Sequence, residues 1–227
     1  MKHVVKILLV LSIIVLGYLC VMSILTPIHF EEARESREKV IITNLVNIRK
    51  AEIEFKNQFG YYTASPDSLV NFIKKGKMPV VLKEGTLTDL QLQDGLTEAK
   101  ALKIVRSGNK AEIEKNGLTG FRRDTTYISV YESLFANDLT MEQVDELVIV
   151  PFSNGQKFEM AARMHKNSTS GIEIPLFEAR APYSMYLGDL ERQELINLQD
   201  EKEKLEKYPG LKVGSIDEPN NNAGNWE

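Results

Sequence analysis

Residues 7–25 are apolar or small and carry no charge, and after them the pattern changes for good. As a helix rising about 1.5 Å per residue, such a run covers about 28 Å, close to the roughly 30 Å hydrocarbon core of a bilayer. A transmembrane helix is the expected element. From residue 30 to residue 59 the spacing is that of an amphipathic helix. Ile41, Leu45, Ile48, Phe55 and Phe59 recur at intervals of three or four residues or their multiples, and Ile42, Val46 and Ile53 widen the stripe. Arg49, Lys50, Glu52, Glu54, Lys56 and Asn57 fill the opposite side. Pro27 and His29 are read as the exit from the bilayer, Phe30 as the restart of the helix and Gly60 as its stop. One face of this helix can dock on its own domain. A coiled-coil seam is the other reading, although the apolar repeat covers barely three heptads.

Further along, Ser65 is a natural N-cap and Pro66 suits a first helical position, which predicts a short helix over residues 66–75. Residues 79–82 read as a strand, 97–105 and 109–115 as short helices closed by Gly108 and Gly117, and 126–131 as a half-buried strand. Residues 146–152 read as a strong strand, 153–156 as a hairpin turn and 157–164 as the return; 172–177 is a third strand after a polar loop. Together, residues 146–177 form an expected antiparallel β-meander laid on the long helix, with Pro151 marking an edge. A last, surface helix is expected over residues 189–207, capped by Asp189 and stopped at Tyr208, Pro209 and Gly210. Residues 214–227 lack core-forming side chains and are expected to be a disordered tail. Trp226, the sole tryptophan, is then either a partner-docking anchor or a loose terminal residue.

Charge decides how the apolar run is used. Lys2, His3 and Lys6 precede it, whereas Glu31, Glu32, Arg34, Glu35, Arg37 and Glu38 follow it in a mixed, acidic stretch. The positive flank belongs in the cytoplasm, so residues 30–213 form an extracytoplasmic domain of the inner membrane, periplasmic where there is a second membrane. A cleavable signal is the rival reading. Its core is usually about 7–15 residues and ends in small-x-small, which residues 23–27 do not supply. An uncleaved, single-pass anchor is the expectation. The only cysteine, Cys20, lies inside the span, so stability must come from packing and not from disulfides. A net charge of −4 with dispersed cations argues against nucleic acid as a partner.

The stretch Glu52-Ile53-Glu54-Phe55-Lys56-Asn57-Gln58-Phe59-Gly60-Tyr61-Tyr62-Thr63, after a membrane helix and before the short helix that begins at Pro66, resembles the helix-to-loop junction of type IV pilins and type II secretion pseudopilins. The likeness covers residues 1–75. It implies an α+β fold, with a transmembrane helix continuing into a long amphipathic helix packed on a small antiparallel sheet. It also implies a role as an assembly or scaffold subunit with protein partners in the cell envelope. The chain departs from the family in carrying neither its Gly-Phe-x-x-x-Glu processing motif nor an intramembrane glutamate, and Thr63 stands where the family prefers proline. A permanently anchored domain with a pilin-like start is therefore expected, and not a subunit extracted into a fibre.

Candidate chemistry is sparse. Of the three histidines, only His165 belongs to the soluble domain, and no cysteine accompanies it there. That supply rules out the usual Cys/His zinc site, a Cys-His pair and a His-Glu-x-x-His metalloprotease. No phosphate-binding glycine loop and no EF-hand appears. No catalytic residue, metal or cofactor is expected. Arg122, Arg123 and Asp124 form the densest polar signal: two arginines able to grip a carboxylate or phosphate, or simply to pair with a neighbouring acid. Asn167-Ser168-Thr169 fits a glycosylation acceptor but is frequent by chance. A membrane-anchored, non-catalytic scaffold is the leading expectation. An envelope hydrolase using paired carboxylates and a ligand-binding module are the alternatives.

Overall fold

The computed structural model describes residues 2–166 and 171–227. The chain divides into two compact units, residues 75–137 forming one and the flanking segments the other. The first unit is built on α1 (Lys2–Phe59), a single helix of 58 residues. The expected break at Pro27 is absent: that residue lies inside the helix. Proline there removes one helical hydrogen bond, and both flanks are long enough to propagate across the gap. The N-terminal part is long and apolar enough to cross a membrane, and its most apolar window is entirely unburied. The C-terminal part docks through Phe30, Ile41, Leu45, Ile48, Ala51 and Phe55, all buried. Phe59, expected on the same stripe, is half exposed and stacks 4.5 Å from Phe55.

The helix α2 (Pro66–Lys75) forms where the Ser65-Pro66 signal places it and buries Leu69, Phe72 and Ile73. The second unit opens with β1 (Lys77–Glu84), longer at both ends than the four residues expected. Three short helices follow: α3 (Asp89–Gln93), α4 (Glu98–Ser107) and α5 (Lys110–Lys115). The Thr97 hydroxyl caps α4, and Gly108 at φ 71° closes it in the left-handed conformation that glycine adopts without strain. Then β2 (Arg122–Ser129) pairs antiparallel with β1 and leads into α6 (Val130–Leu134). Ala101, Leu118 and Phe121 make the small core of this unit, with Leu96, Leu102 and Ile113 packed around it.

Back in the first unit come α7 (Gln143–Glu146), β3 (Glu159–Lys166), β4 (Glu173–Pro182), α8 (Tyr183–Tyr186), α9 (Arg192–Lys204) and β5 (Gly210–Gly214). The sheet order is β3-β4-β5, all antiparallel, and β4 and β5 lie against α1. The expected meander over 146–177 is thus corrected. Its first strand shrinks to one bridge, Ile149 to Lys157, because Pro151 lacks an N–H and Phe152 and Asn154 turn into positive φ (65° and 56°). Leu147, Val148 and Val150 are all buried, a continuous apolar run that does not distinguish strand from packed loop.

The third strand is instead β5, which occupies the far edge of β4. Gly210 and Gly214 allow the approach: a Cβ on either would collide with the backbone of Ala181 or Phe177. The C-terminal helix begins after Glu191, not at Asp189. Asp189 is taken by Arg37 of α1, in a bidentate pair at 2.5 and 2.8 Å, while the same guanidinium donates to the Tyr186 carbonyl at 2.6 Å. The tail over 214–227 is likewise corrected. Asn221 and Asn222 (φ 57° and 58°) make a tight turn, and the chain runs back along β5. There Asn225 N–H donates to Lys212 O and Gly214 N–H to Ala223 O, each at 3.0 Å. The glycosylation-like tripeptide at 167–169 lies outside the described residues.

Candidate functional site

The residues singled out in the sequence fall in two separate clefts, one in each unit. In the second unit, Arg122, Arg123 and Asp124 start β2 and border a surface cleft of about 810 Å³ that also meets Arg106 of α4. Arg123 is committed to the fold. Its side chain is 6% exposed; Nη1 donates to the carbonyls of Glu84, Gly85 and Arg122, Nη2 pairs with Glu98 at 3.1 Å, and the guanidinium lies 4.1 Å from the Phe121 ring centroid. Its Nε is enclosed without a partner. Arg122 is largely exposed and pairs with Asp124 along the same strand; that hydrogen bond raises its pKa further. Such a solvated pair contributes little to stability. The three residues therefore do different work: Arg123 pins β1, β2 and α4 together, and Arg122 with Asp124 makes a surface ion pair.

In the first unit, Trp226 is neither loose nor projecting. Its indole covers Gly224, where a Cβ would strike the ring. It also borders a cleft of about 500 Å³ with Arg34, Lys202, Lys207, Tyr208 and Lys212. Glu38 faces the same space. Burial chiefly pushes its pKa up; Arg34 and the Tyr186 hydroxyl, which donates to it at 3.3 Å, pull the other way. Burial also pushes the phenols of Tyr183 and Tyr208 up to about 12. They are neutral hydroxyls at physiological pH. Lysine, arginine and aromatic side chains thus share this cleft with the carboxyls of Glu38 and Glu206.

One residue escaped the sequence reading. Glu52, placed there on the polar side of α1, is completely buried. It completes the series 41, 45, 48, 52, 55, so the helical spacing held the signal, but its charge argued the other way. One carboxyl oxygen accepts the Thr63 N–H at 3.1 Å, and the other has no partner. Burial raises its pKa to about 8, with the Thr63 hydrogen bond opposing. The group ties the loop after α1 to the helix, at the junction on which the pilin resemblance rests.

His165 sits on β3 opposite Ile174, half buried. Among the described residues, no cluster of three histidines, cysteines or carboxylates is placed to hold a metal ion. Compared with known proteins, the chain matches no family model, no curated protein and no solved structure.

Proposed function

We propose that this chain is a single-pass, membrane-anchored extracytoplasmic protein, a non-catalytic scaffold or accessory subunit of a bacterial envelope assembly with a pilin- or pseudopilin-like N-terminal part. The observation that carries the reading is α1 itself. One unbroken helix offers an exposed apolar half of bilayer length and threads its other half through the core of a folded unit. Such a helix transmits position from the membrane to the domain without a flexible joint. The flanking charges orient it with the N-terminus in the cytoplasm. The arginines of the folded units support a structural role: Arg37, Arg123 and Arg180 are held in ion pairs, Arg123 at the edge of the second unit's cleft.

Alkaline carbonate extraction of cells expressing the full chain, followed by protease treatment of spheroplasts, tests the proposal. The chain should stay in the membrane pellet, and external protease should digest the domain. Release by carbonate, or digestion only after lysis, would overturn the anchor or its orientation respectively.

A further inference from the structure

The sheet of the first unit has one covered edge and one open edge. On the covered side, the returning tail pairs with β5. On the other side, residues 148–150, which follow α7, cover only the approach to β3: Val150 N–H donates to Gln156 O at 2.8 Å, and Phe158 N–H donates to Val148 O at 2.9 Å. Those two bonds fix the strand's alternation, because a residue's N–H and C=O point to the same side and successive residues to opposite sides. Gln156 and Phe158 face away from β4. Met160, Ala162 and Met164 therefore do so too, while Glu159, Ala161, Arg163 and His165 exchange hydrogen bonds with β4. Past Phe158, no described residue pairs with that side of β3.

Natural sheets usually blunt such an edge with proline, a bulge or a covering loop. Here the edge is regular over the register from Glu159 to Lys166 and borders a ready-made hollow. Ala162, Met164, Tyr61, Tyr62 and Pro175 line about 220 Å³, with Tyr61 and Met164 half exposed. A strand laid on β3 would drop a bulky apolar side chain into it.

Charge selects the occupant. Glu159 is already neutralised by Arg180 at 2.7 Å, but among the described residues Arg163 has only a 3.4 Å contact to the Asp217 carbonyl. Lys166 stands across the strand pair from Glu173 but forms no ion pair among the described residues. A second copy paired antiparallel about Arg163 would set two guanidinium groups across from each other, and like charges across a strand pair destabilise it. We infer that β3 is a strand-addition site for an extended segment of a partner protein, acidic on one face and bulky-apolar on the other. This deepens the assembly role proposed above and rests on it for the existence of a protein partner.

The test uses the full chain in detergent micelles and an alternating Glu/Leu heptapeptide as probe, with a Lys/Leu heptapeptide as control. Amide hydrogen exchange should be fast at Met160, Ala162 and Met164 in the free protein and slow when the acidic peptide is added. Ala161 and Arg163 should be protected throughout. Ala162→Pro removes an outward N–H that the β3–β4 ladder does not use, and should weaken the acidic peptide about tenfold, one hydrogen bond's worth. Arg163→Glu should weaken the acidic peptide and admit the Lys/Leu control, a readout that stands even if the proline variant misfolds.

Protection of the three outward amides without peptide, or no change on adding it, would overturn the proposal. So would a dimer in sedimentation that Ala162→Pro dissociates, which would give the edge to a second copy. Peptide binding by a chain that carbonate strips from the membrane would leave the edge standing and overturn only the anchor.

Discussion

Glu52 is where a single residue's chemistry has the widest reach. Its carboxyl is buried on the docking stripe of α1, accepts one backbone N–H and leaves its second oxygen unpaired. Burial carries its pKa from the ordinary 4.5 to about 8, so the folded state holds a proton that the unfolded chain has already lost over that window. For a raised pKa the stabilisation is fully present below about 4.5 and disappears as pH climbs to about 8, at a limiting slope of about 1.4 kcal/mol per pH unit. Chemical denaturation of the full chain between pH 5 and pH 9 should show falling stability. Glu52→Gln should flatten the difference, at a cost of about 1–2 kcal/mol at pH 5 from the extra buried donor. Parallel pH profiles for the two proteins would sink the idea that Glu52 is protonated in the fold. The sequence hid this residue because charge and periodicity disagree at position 52, and charge is normally the better guide to exposure. Arg123 is visible as a residue but not in its role, since two of the three carbonyls it clamps, those of Glu84 and Gly85, lie some forty positions away at the end of the partner strand.

At the scale of elements, what the sequence made legible was whatever depends on neighbours along the chain. The helix start at position 97, the Gly108 stop, the Ser65-Pro66 start and the long stripe of α1 are local signals, and they read within a residue or two of the observed elements, Phe59 and Glu52 on the stripe apart. Strand partnership is not local. The sequence Gly-Leu-Lys-Val-Gly becomes β5 because β4 leaves an edge and because two glycines admit close backbone approach. By composition, the Asn-rich segment after it reads as disorder. Yet asparagine tolerates positive φ, and two in succession make the tight turn that brings the chain back. Trp226 reports on this return. Its native emission should be blue-shifted relative to a fully hydrated indole and should change in the same transition as the far-UV circular dichroism. Removal of residues 215–227 should destabilise the first unit by about 2–4 kcal/mol. It strips two backbone and two side-chain hydrogen bonds from β5, the Trp226 cover on Gly224 and the Arg49 contacts with Asn222 and Glu227. Hydrated native emission, or a truncated chain of undiminished stability, would return the tail to disorder.

At the scale of the whole molecule, the chain leaves its helix-centred unit after residue 74 and re-enters it at residue 138. The intervening segment departs and returns through one doorway. Lys77 lies opposite Ser129 at the base of the β1–β2 pair, and Val130 N–H donates to the Gly76 carbonyl at 3.0 Å. Two strands that enter and exit side by side can be joined by a two-residue turn without moving their ends. The inserted unit also keeps its own core, centred on Ala101, Leu118 and Phe121. Replacing residues 77–129 by Asn-Gly should therefore leave the remainder folded, with its thermal midpoint shifted by less than about 4 °C, or about 1 kcal/mol. The excised chain should still resist carbonate extraction, and the β3 edge should still take the acidic peptide, because both properties are assigned to the other unit. Loss of cooperative unfolding in the excised chain would mean that the two units fold as one body. Loss of peptide binding with folding intact would move the docking surface into the insertion, where the Arg106 and Arg122 cleft would become the place to look.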